Sequence, residues 1–162
     1  MPLREMVFPD GALNVLVQII GAVMIHRALV FDDNSLVRFS LTMFFGGRGY
    51  EVFTFSRPEM CRLDLGRKCS CPAETSCTDL IISDLNMPEV NGIDFIERLI
   101  GKGCKQRHFG LMSDDFSSTD LVRAAHLPCT LFRKPLDLQK VKEWADEVER
   151  SIPLQRILLD WT

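Results

Sequence analysis

The chain has 162 residues, with 19 basic and 22 acidic side chains and a net charge of −3. This length suits one domain with some additional sequence, and it is enough to bury a core without disulfides or metals. The near balance of charge gives no overall field that would attract nucleic acid or an anionic membrane, so we expect no direct nucleic-acid binding and no membrane insertion.

Residues 1–26 precede the predicted domain and form an N-terminal extension. They include an apolar run at residues 12–25, which is too short to cross a bilayer. The run is also a poor export signal, because Arg4 is accompanied by acidic residues and no clear small-residue cleavage site follows. Two interpretations stay open: an extra packed helix, or an upstream extension before a native start at Met24.

From Arg27 onward, short apolar runs alternate with longer segments of helical periodicity, which is the pattern of βα units around a parallel sheet. Five strands are predicted, at residues 28–31, 51–55, 80–84, 109–113 and 129–132. Five helices are predicted, at residues 35–45, 58–65, 93–100, 118–125 and 136–152. The predicted fold class is therefore α/β, and ligands are expected at the carboxyl ends of the strands.

An insertion at residues 66–78 is rich in turn-forming residues and cysteine. Four cysteines lie in or just before it: Cys61, Cys69, Cys71 and Cys77. Their spacing lacks the paired C-x2-C arms of a structural zinc site, so we interpret the segment as a surface loop, with metal binding or disulfide formation as the alternative. Cys104 and Cys129 are interpreted as small apolar residues, and the three histidines show no metal-ligand spacing.

The predicted domain ends at residue 152, and residues 153–162 form a C-terminal tail. Four apolar tail residues follow the i, i+3, i+4, i+7 spacing of a one-sided helix: Leu154, Ile157, Leu158 and Trp161. Such a face packs onto its own domain more often than it is offered to a partner, so we expect the tail to fold back.

Polar side chains stand at the ends of four predicted strands. Asp32 and Asp33 close the first strand, Asp84 closes the third, Ser113 closes the fourth, and Lys134 follows the fifth. Three carboxylates at one edge repel one another unless a hard cation joins them, which implies Mg²⁺. A carboxylate attacks phosphorus to give an aspartyl phosphate when a metal, a lysine and a hydroxyl neutralise the transferred oxygens.

Four segments resemble the sequence marks of response-regulator receiver domains of two-component systems, particularly the stand-alone, chemotaxis-regulator-like type. They are VFDDN at residues 30–34, ISDLNMPEVNG at 82–92, LMS at 111–113 and RKP at 133–135. The resemblance covers residues 27–152, and its most specific part is the Met-Pro turn and the glycine that follow Asp84. It implies a flavodoxin-like, doubly wound sheet of five parallel strands in the order 2-1-3-4-5, with five helices.

The same resemblance implies a role for each residue of the site. Asp84 is the expected phosphoacceptor, Ser113 the conformational hydroxyl, and Lys134 the partner of the phosphoryl group. Mg²⁺ is the only expected cofactor, held by four residues: Asp32, Asp33, Asp84 and, through its backbone carbonyl, Asn86.

The expected donor is a histidine kinase or a histidine phosphotransfer protein, with slow self-hydrolysis after transfer. We therefore expect a cytoplasmic signalling phosphoacceptor, not an enzyme, that has no attached output domain and signals through protein contacts. The alternative is a degenerate receiver that binds partners without phosphorylation. A phosphatase of related chemistry is disfavoured, because its D-x-D pair and nucleophile follow the first strand, whereas Asp84 lies two strands later.

Two positions depart from the family pattern. Asp114 and Asp115 follow Ser113, where relatives usually carry a small residue, so additional negative charge is expected near the pocket. Leu131 stands three residues before Lys134, where many relatives carry an aromatic ring that swings inward. We therefore expect an unusual switch involving Ser113, Asp114 and Leu131, and slow or donor-selective phosphorylation.

Overall fold

The structure is a computed structural model. It describes residues 26–65, 68–69, 71, 75–153 and 156–159. The N-terminal extension up to residue 25 lies outside the described residues, as do Leu154 and Trp161 of the tail. No helix in the described ranges is long and apolar enough to cross a membrane.

Five parallel strands form the central sheet. In chain order, the strands of the described residues are β1 (His26–Phe31), β2 (Tyr50–Phe55), β3 (Thr75–Ser76), β4 (Leu80–Asp84), β5 (Asn86–Met87), β6 (Val90–Asn91), β7 (Phe109–Ser113), β8 (Cys129–Arg133) and β9 (Ile157–Leu158). The central sheet has the order β2-β1-β4-β7-β8. Counting these five strands alone, this is the predicted order 2-1-3-4-5. Because both faces are covered, β1, β4 and β7 are almost continuous apolar runs.

Five α-helices pack around the sheet: α1 (Ser35–Gly47), α2 (Arg62–Leu65), α3 (Gly92–Gly101), α4 (Ser118–Ala124) and α5 (Leu138–Ser151). Local capping sets where several of them begin. Asn34 accepts a hydrogen bond from the backbone N–H of Leu36, and Asn91 accepts one from that of Ile93. Asn34 follows the loop after β1, and Asn91 ends the hairpin strand β6 after β4, so both helices begin next to the carboxyl edge of the sheet.

The core consists of one apolar cluster on each face of the sheet. On one face, Phe45 of α1 and Trp144 of α5 pack against Val30 and Ile82. On the other face, Phe95 and other side chains of α3 pack against neighbouring strand residues such as Phe31. The alternation of side chains along each strand assigns neighbouring residues to opposite clusters.

The predicted single helix at residues 58–65 is wrong. The segment divides into a 3₁₀ turn at Pro58–Met60 and the one-turn helix α2. The division falls at Cys61, whose backbone is extended and whose side chain is completely buried. Burial of this side chain in the core opposes the continuous helix that local periodicity indicated.

The predicted helix in the tail is also wrong for its described part. β9 pairs in parallel with β3, and the N–H of Leu159 donates to the carbonyl of Ser76 at 2.9 Å. The Arg156 guanidinium lies 2.8 Å from Asp79, and both side chains are more than nine-tenths buried. Residues 156–159 thus contact their own domain as an extended segment, because pairing with the insertion satisfies their backbone groups.

The Arg156 pair gives a stability prediction. Removing one member of a buried ion pair leaves an uncompensated charge, so Arg156→Met should lower the free energy of unfolding by about 3 kcal/mol. Arg123→Met is the matched control, because Arg123 pairs with Asp94 and Glu97 at exposed positions, where the loss should be below about 1 kcal/mol. Urea denaturation of both variants measures the difference, and equal losses would contradict a buried anchor for the tail.

Candidate functional site

The candidate site lies at the carboxyl edge of the central sheet. Asp32 and Asp33 follow β1, and Asp84 is the last residue of β4. Ser113 ends β7, and Lys134 follows β8. Because these strands are parallel, their carboxyl ends meet at one edge, and all five side chains that the sequence singled out are placed there.

Three carboxylates form the centre of the site. One oxygen from each of Asp32, Asp33 and Asp84 lies within 4.8 Å of the other two. Asp32 is completely buried and Asp84 is 4% exposed, whereas Asp33 is exposed. The cluster therefore opens to solvent beside Asp33, while its two inner carboxylates are shielded from water.

Lys134 bridges the two inner carboxylates. Its Nζ lies 2.8 Å from Oδ2 of Asp32 and 2.8 Å from Oδ1 of Asp84. Burial acts to lower the pKa of Lys134, but the hydrogen bonds to both carboxylates outweigh burial and raise this pKa. The lysine is therefore held as an ammonium ion.

Lys134 does not fully compensate the charge around Asp84. Burial raises the pKa of the Asp84 carboxyl, and repulsion from Asp32 and Asp33 raises it further, although Lys134 opposes both effects. Three carboxylates and one ammonium leave an excess of negative charge in a partly buried place. A divalent cation would relieve this excess.

Backbone contacts fix the loop that carries the first two carboxylates. Oδ1 of Asp32 accepts a hydrogen bond from the N–H of Asn34 at 2.8 Å. The guanidinium of Arg38, on α1, donates to the carbonyls of Asp32 and Asp33 at 2.7 and 2.9 Å. Because Arg38 lies in the first turn of α1, directly after this loop, the helix holds the loop backbone and so positions the two carboxylates.

Ser113 is buried and is engaged with its own loop. Its hydroxyl accepts hydrogen bonds from Nδ2 of Asn86 at 3.3 Å and from the N–H of Asp115 at 3.2 Å. The same hydroxyl donates to the carbonyl of Asp115. Asp114 and Asp115 are both exposed, and the Asp115 carboxylate lies 3.3 Å from Arg133. Neither belongs to the three-carboxylate cluster.

A tight hairpin after β4 brings the backbone close to Asp84. β5 and β6 pair antiparallel, and Glu89 in the turn between them has a φ of 68°. A Cβ atom on Gly92 would stand 2.3 Å from the carbonyl oxygen of Asp84, so a larger residue does not fit there. A pocket of about 390 Å³, lined by Asp33 and residues 85–91, opens beside this hairpin.

Comparison with models of known protein families identifies the family of this chain. The family model of the response regulator receiver domain matches residues 28–144, which is more than half of the chain. The chain belongs to the response regulator receiver domain family. The match runs from within β1 to the middle of α5 and therefore includes every residue of the candidate site.

Solved receiver structures share this fold. Chemotaxis protein CheY4 of Vibrio cholerae is 21% identical with a TM-score of 0.61, and the alignment covers 76% of this chain and 98% of that one. A response regulator receiver protein from Pseudomonas putida is 24% identical with a TM-score of 0.60, covering 76% and 97%. At such identities the likeness shows the fold alone.

One curated relative is much longer than the segment of it that this chain matches. Protein-glutamate methylesterase/protein-glutamine glutaminase 1 of Anaeromyxobacter dehalogenans (strain 2CP-C) is 32% identical over 79 residues. These residues are 49% of this chain and 20% of the relative. The chain thus matches about one fifth of that protein, so the likeness does not extend to its named activities.

Leu131 of this receiver domain is half-buried and packs against the apolar cluster on the α3 face. The next residue, Phe132, is buried on the opposite face, where its ring meets Trp144 edge-on with centroids 5.4 Å apart. Because strand side chains alternate between faces, Phe132 does not replace the aromatic ring that is missing at Leu131.

Sequence reasoning did not identify two contacts in the site. The Asn86 side chain bonds to the Ser113 hydroxyl, whereas we had assigned Asn86 only a backbone role. Arg38 holds the Asp32–Asp33 loop, although it lies within a helix without a recognisable motif. A weak signal for Arg38 was its position one turn into the helix that follows the two aspartates.

The raised pKa of Asp84 predicts that its charge costs stability when divalent cations are absent. Asp84→Asn should increase the free energy of unfolding at neutral pH, because it removes a charge that is disfavoured by burial and by repulsion from Asp32 and Asp33. Because the folded pKa lies above the unfolded value of about 3.9, the cost is present above that pH, and the gain should vanish as the pH falls toward 4.

Denaturation with a chelator present, compared with Asp33→Asn at the exposed position, measures this gain. A less stable Asp84→Asn variant at pH 7 would mean that Lys134 more than offsets the burial of Asp84.

Proposed function

We propose that this receiver domain accepts a phosphoryl group onto Asp84 from a phosphohistidine donor in a Mg²⁺-dependent reaction. The observation that carries the proposal is the cluster of Asp32, Asp33 and Asp84 around the Lys134 ammonium at the carboxyl edge of the sheet. An ammonium that holds two buried carboxylates is arranged to receive the charge of a phosphoryl group beside one of them.

The donor atoms at this site fit Mg²⁺. They are carboxylate oxygens gathered within 4.8 Å, and hard divalent cations prefer such oxygen ligands. We assign the ion to four residues: Asp32, Asp33, Asp84 and, through its backbone carbonyl, Asn86. When bound, Mg²⁺ neutralises negative charge on the phosphoryl oxygens.

The transfer itself exchanges one bond for another. A carboxylate oxygen of Asp84 forms a bond to phosphorus, and the bond between phosphorus and the donor's imidazole nitrogen breaks, with its electron pair returning to the ring. Lys134, already within 2.8 Å of Asp84, pairs with the new phosphoryl oxygens. Water later attacks phosphorus, the bond between phosphorus and the Asp84 oxygen breaks, and inorganic phosphate leaves as the carboxylate is regenerated.

Ser113 would couple this chemistry to a change in shape. Its hydroxyl donates to the carbonyl of Asp115 before phosphorylation. A stronger bond to an anionic phosphoryl oxygen would take that hydrogen away, which releases the backbone of residues 114–115. Because Leu131 is aliphatic and already packed in the core, we assign the response to this loop and not to an aromatic side chain.

The proposed partners follow from the reaction. A histidine kinase or a histidine phosphotransfer protein supplies the phosphoryl group, and the phosphorylated surface signals through contacts with another protein. The domain is then a phosphoacceptor that promotes its own phosphorylation and slow dephosphorylation, and it turns over no separate substrate.

Asp84→Asn should abolish aspartyl phosphate formation, since an amide lacks the nucleophilic oxygen while the shape is kept. The measurement is the intact mass after incubation with Mg²⁺ and a small acyl phosphate, with a gain of one phosphoryl group expected for the unmodified chain. Asp94→Asn is the matched control, because Asp94 is an exposed carboxylate on α3. Labelling that persists in Asp84→Asn would refute Asp84 as the phosphoacceptor, whereas no labelling of the unmodified chain would favour a phosphorylation-independent scaffold.

Asp114 should slow phosphorylation by small anionic donors. Its carboxylate is exposed in the loop directly after Ser113, so it adds negative charge on the approach to the site. Asp114→Ala should increase the labelling rate a few-fold at low ionic strength, and the gain should shrink at about 1 M salt, where the Debye length is about 3 Å. An unchanged rate at low salt would place Asp114 away from the path of the donor.

A further inference from the structure

Four cysteines meet at the amino end of the sheet, far along the strands from Asp84. Cys69, Cys71 and Cys77 belong to the insertion, and Cys104 lies in the loop between α3 and β7. Burial raises the pKa of the Cys71 thiol, and the side chains of Cys69 and Cys77 are near enough to influence that pKa as well. The Cys104 thiol is near enough to all three to interact with them electrostatically.

Contacts with the body of the domain hold these cysteines near one another. The N–H of Cys69 donates to the carbonyl of Lys102 at 2.8 Å, which places the insertion against the end of α3. Lys105 donates to the carbonyl of Cys71 at 2.9 Å, and the N–H of Cys104 donates to that of Leu99 at 3.0 Å. Cys77 is buried three residues before β4 begins. The thiols are therefore assembled from two separate parts of the chain by specific backbone contacts.

The other two cysteines behave differently. Cys61 is completely buried within the apolar cluster on the α3 face. Cys129 donates from its thiol to the carbonyl of Ala124 at 3.5 Å. Cys104 packs against the same apolar cluster, as expected for a small apolar residue, but its thiol also lies near those of Cys69 and Cys71. The thiol cluster therefore includes Cys104 and not Cys61. The cluster therefore has four members, the number of ligands in a closed structural zinc site.

The charges around the cluster suit a thiolate centre. Four thiolates on Zn²⁺ carry a net negative charge, and positive side chains stand at the backbone of two of the cysteines. Lys105 contacts Cys71, and Nη1 of Arg27 donates to the carbonyl of Cys77 at 3.1 Å. Soft thiolate ligands select zinc over the hard cations that carboxylates prefer. A disulfide would use only two of the four sulfurs.

We propose that Cys69, Cys71, Cys77 and Cys104 form a four-thiolate structural site for Zn²⁺ at the amino end of the sheet. No three of these sulfur atoms lie within 4.8 Å of one another in the described part of the chain, so binding includes rotation of the thiols toward a common centre. Each thiol releases its proton as it binds the metal.

Such a site would hold the C-terminal tail as well as the insertion. β3 directly precedes Cys77 and pairs with β9. Arg27 donates to the carbonyls of both Cys77 and Leu159, at 3.1 and 2.7 Å. Metal binding would therefore stabilise the contacts of residues 156–159. Because Asp84 lies at the opposite end of β4, phosphoryl transfer does not depend on this metal, and the proposal stands apart from the proposed function.

The test measures metal content and counts thiolates in the full chain. The protein is purified with a non-thiol reductant and excess Mg²⁺, which occupies the carboxylate site, and zinc is measured by mass spectrometry. We expect one zinc per chain, and Co²⁺ substitution should give thiolate-to-cobalt charge-transfer absorption of a four-sulfur centre. Cys104→Ser should lose zinc to a chelator that the unmodified chain resists, whereas Cys129→Ser should retain it.

A second measurement uses the unmodified chain, so that it does not depend on variants that fold poorly: the cysteines that react with an alkylating reagent are mapped with and without zinc. Zinc should protect Cys69, Cys71, Cys77 and Cys104 together, and chelation should expose all four and increase hydrogen exchange in residues 156–159. Absence of zinc, equal retention in Cys104→Ser and Cys129→Ser, or a Cys71–Cys77 disulfide in place of metal would each overturn the proposal. Labelling of Asp84 should be the same with and without zinc.

Discussion

Electrostatic repulsion among three carboxylates is the constraint on which the carboxyl edge of this sheet depends. Asp32, Asp33 and Asp84 are brought within 4.8 Å by the parallel arrangement of β1 and β4, and two of them are buried. An arrangement of this kind persists only because Lys134 compensates part of the charge and the rest of the fold is stable enough to hold the strand ends together. The remaining excess of negative charge makes the edge suitable for a divalent cation and, with that cation, for a phosphoryl group.

The two ends of the sheet therefore present opposite chemistries. At the carboxyl end, oxygen ligands and one ammonium surround Asp84, which suits hard ions and phosphate. At the amino end, the thiols of Cys69, Cys71 and Cys104 lie near Cys77, and Arg27 and Lys105 donate to the backbone carbonyls of Cys77 and Cys71. β4 joins the two ends, since Cys77 precedes it and Asp84 completes it. The same strand thus connects the carboxylate cluster at one end of the sheet with the cysteines at the other.

Local patterns predicted the parts of the structure that local physics determines. The five sheet strands are apolar runs of the right length, and their ends were predicted to within two residues because polar residues follow them directly. The positions of Asp32, Asp84 and Lys134 at one edge followed from parallel topology. The tail and the position of Cys104 could not be predicted in this way. β9 is extended because it pairs with residues about 80 positions earlier, and Cys104 reaches the insertion through contacts that periodicity does not reveal.

The coupling of Ser113 to its loop argues for a switch that differs from an inward-swinging ring. Along β8, alternation of side chains places Leu131 on the α3 face and Phe132 against Trp144. Moving Phe132 to the site would require it to cross the sheet, which packing of the core forbids. The Ser113 hydroxyl, in contrast, changes partner by a rotation about one bond, and its present partner is the backbone of Asp115. Because Asp115 also pairs with Arg133 at an exposed position, displacement of this loop would change the charge pattern of the surface beside Asp84 without disturbing the core.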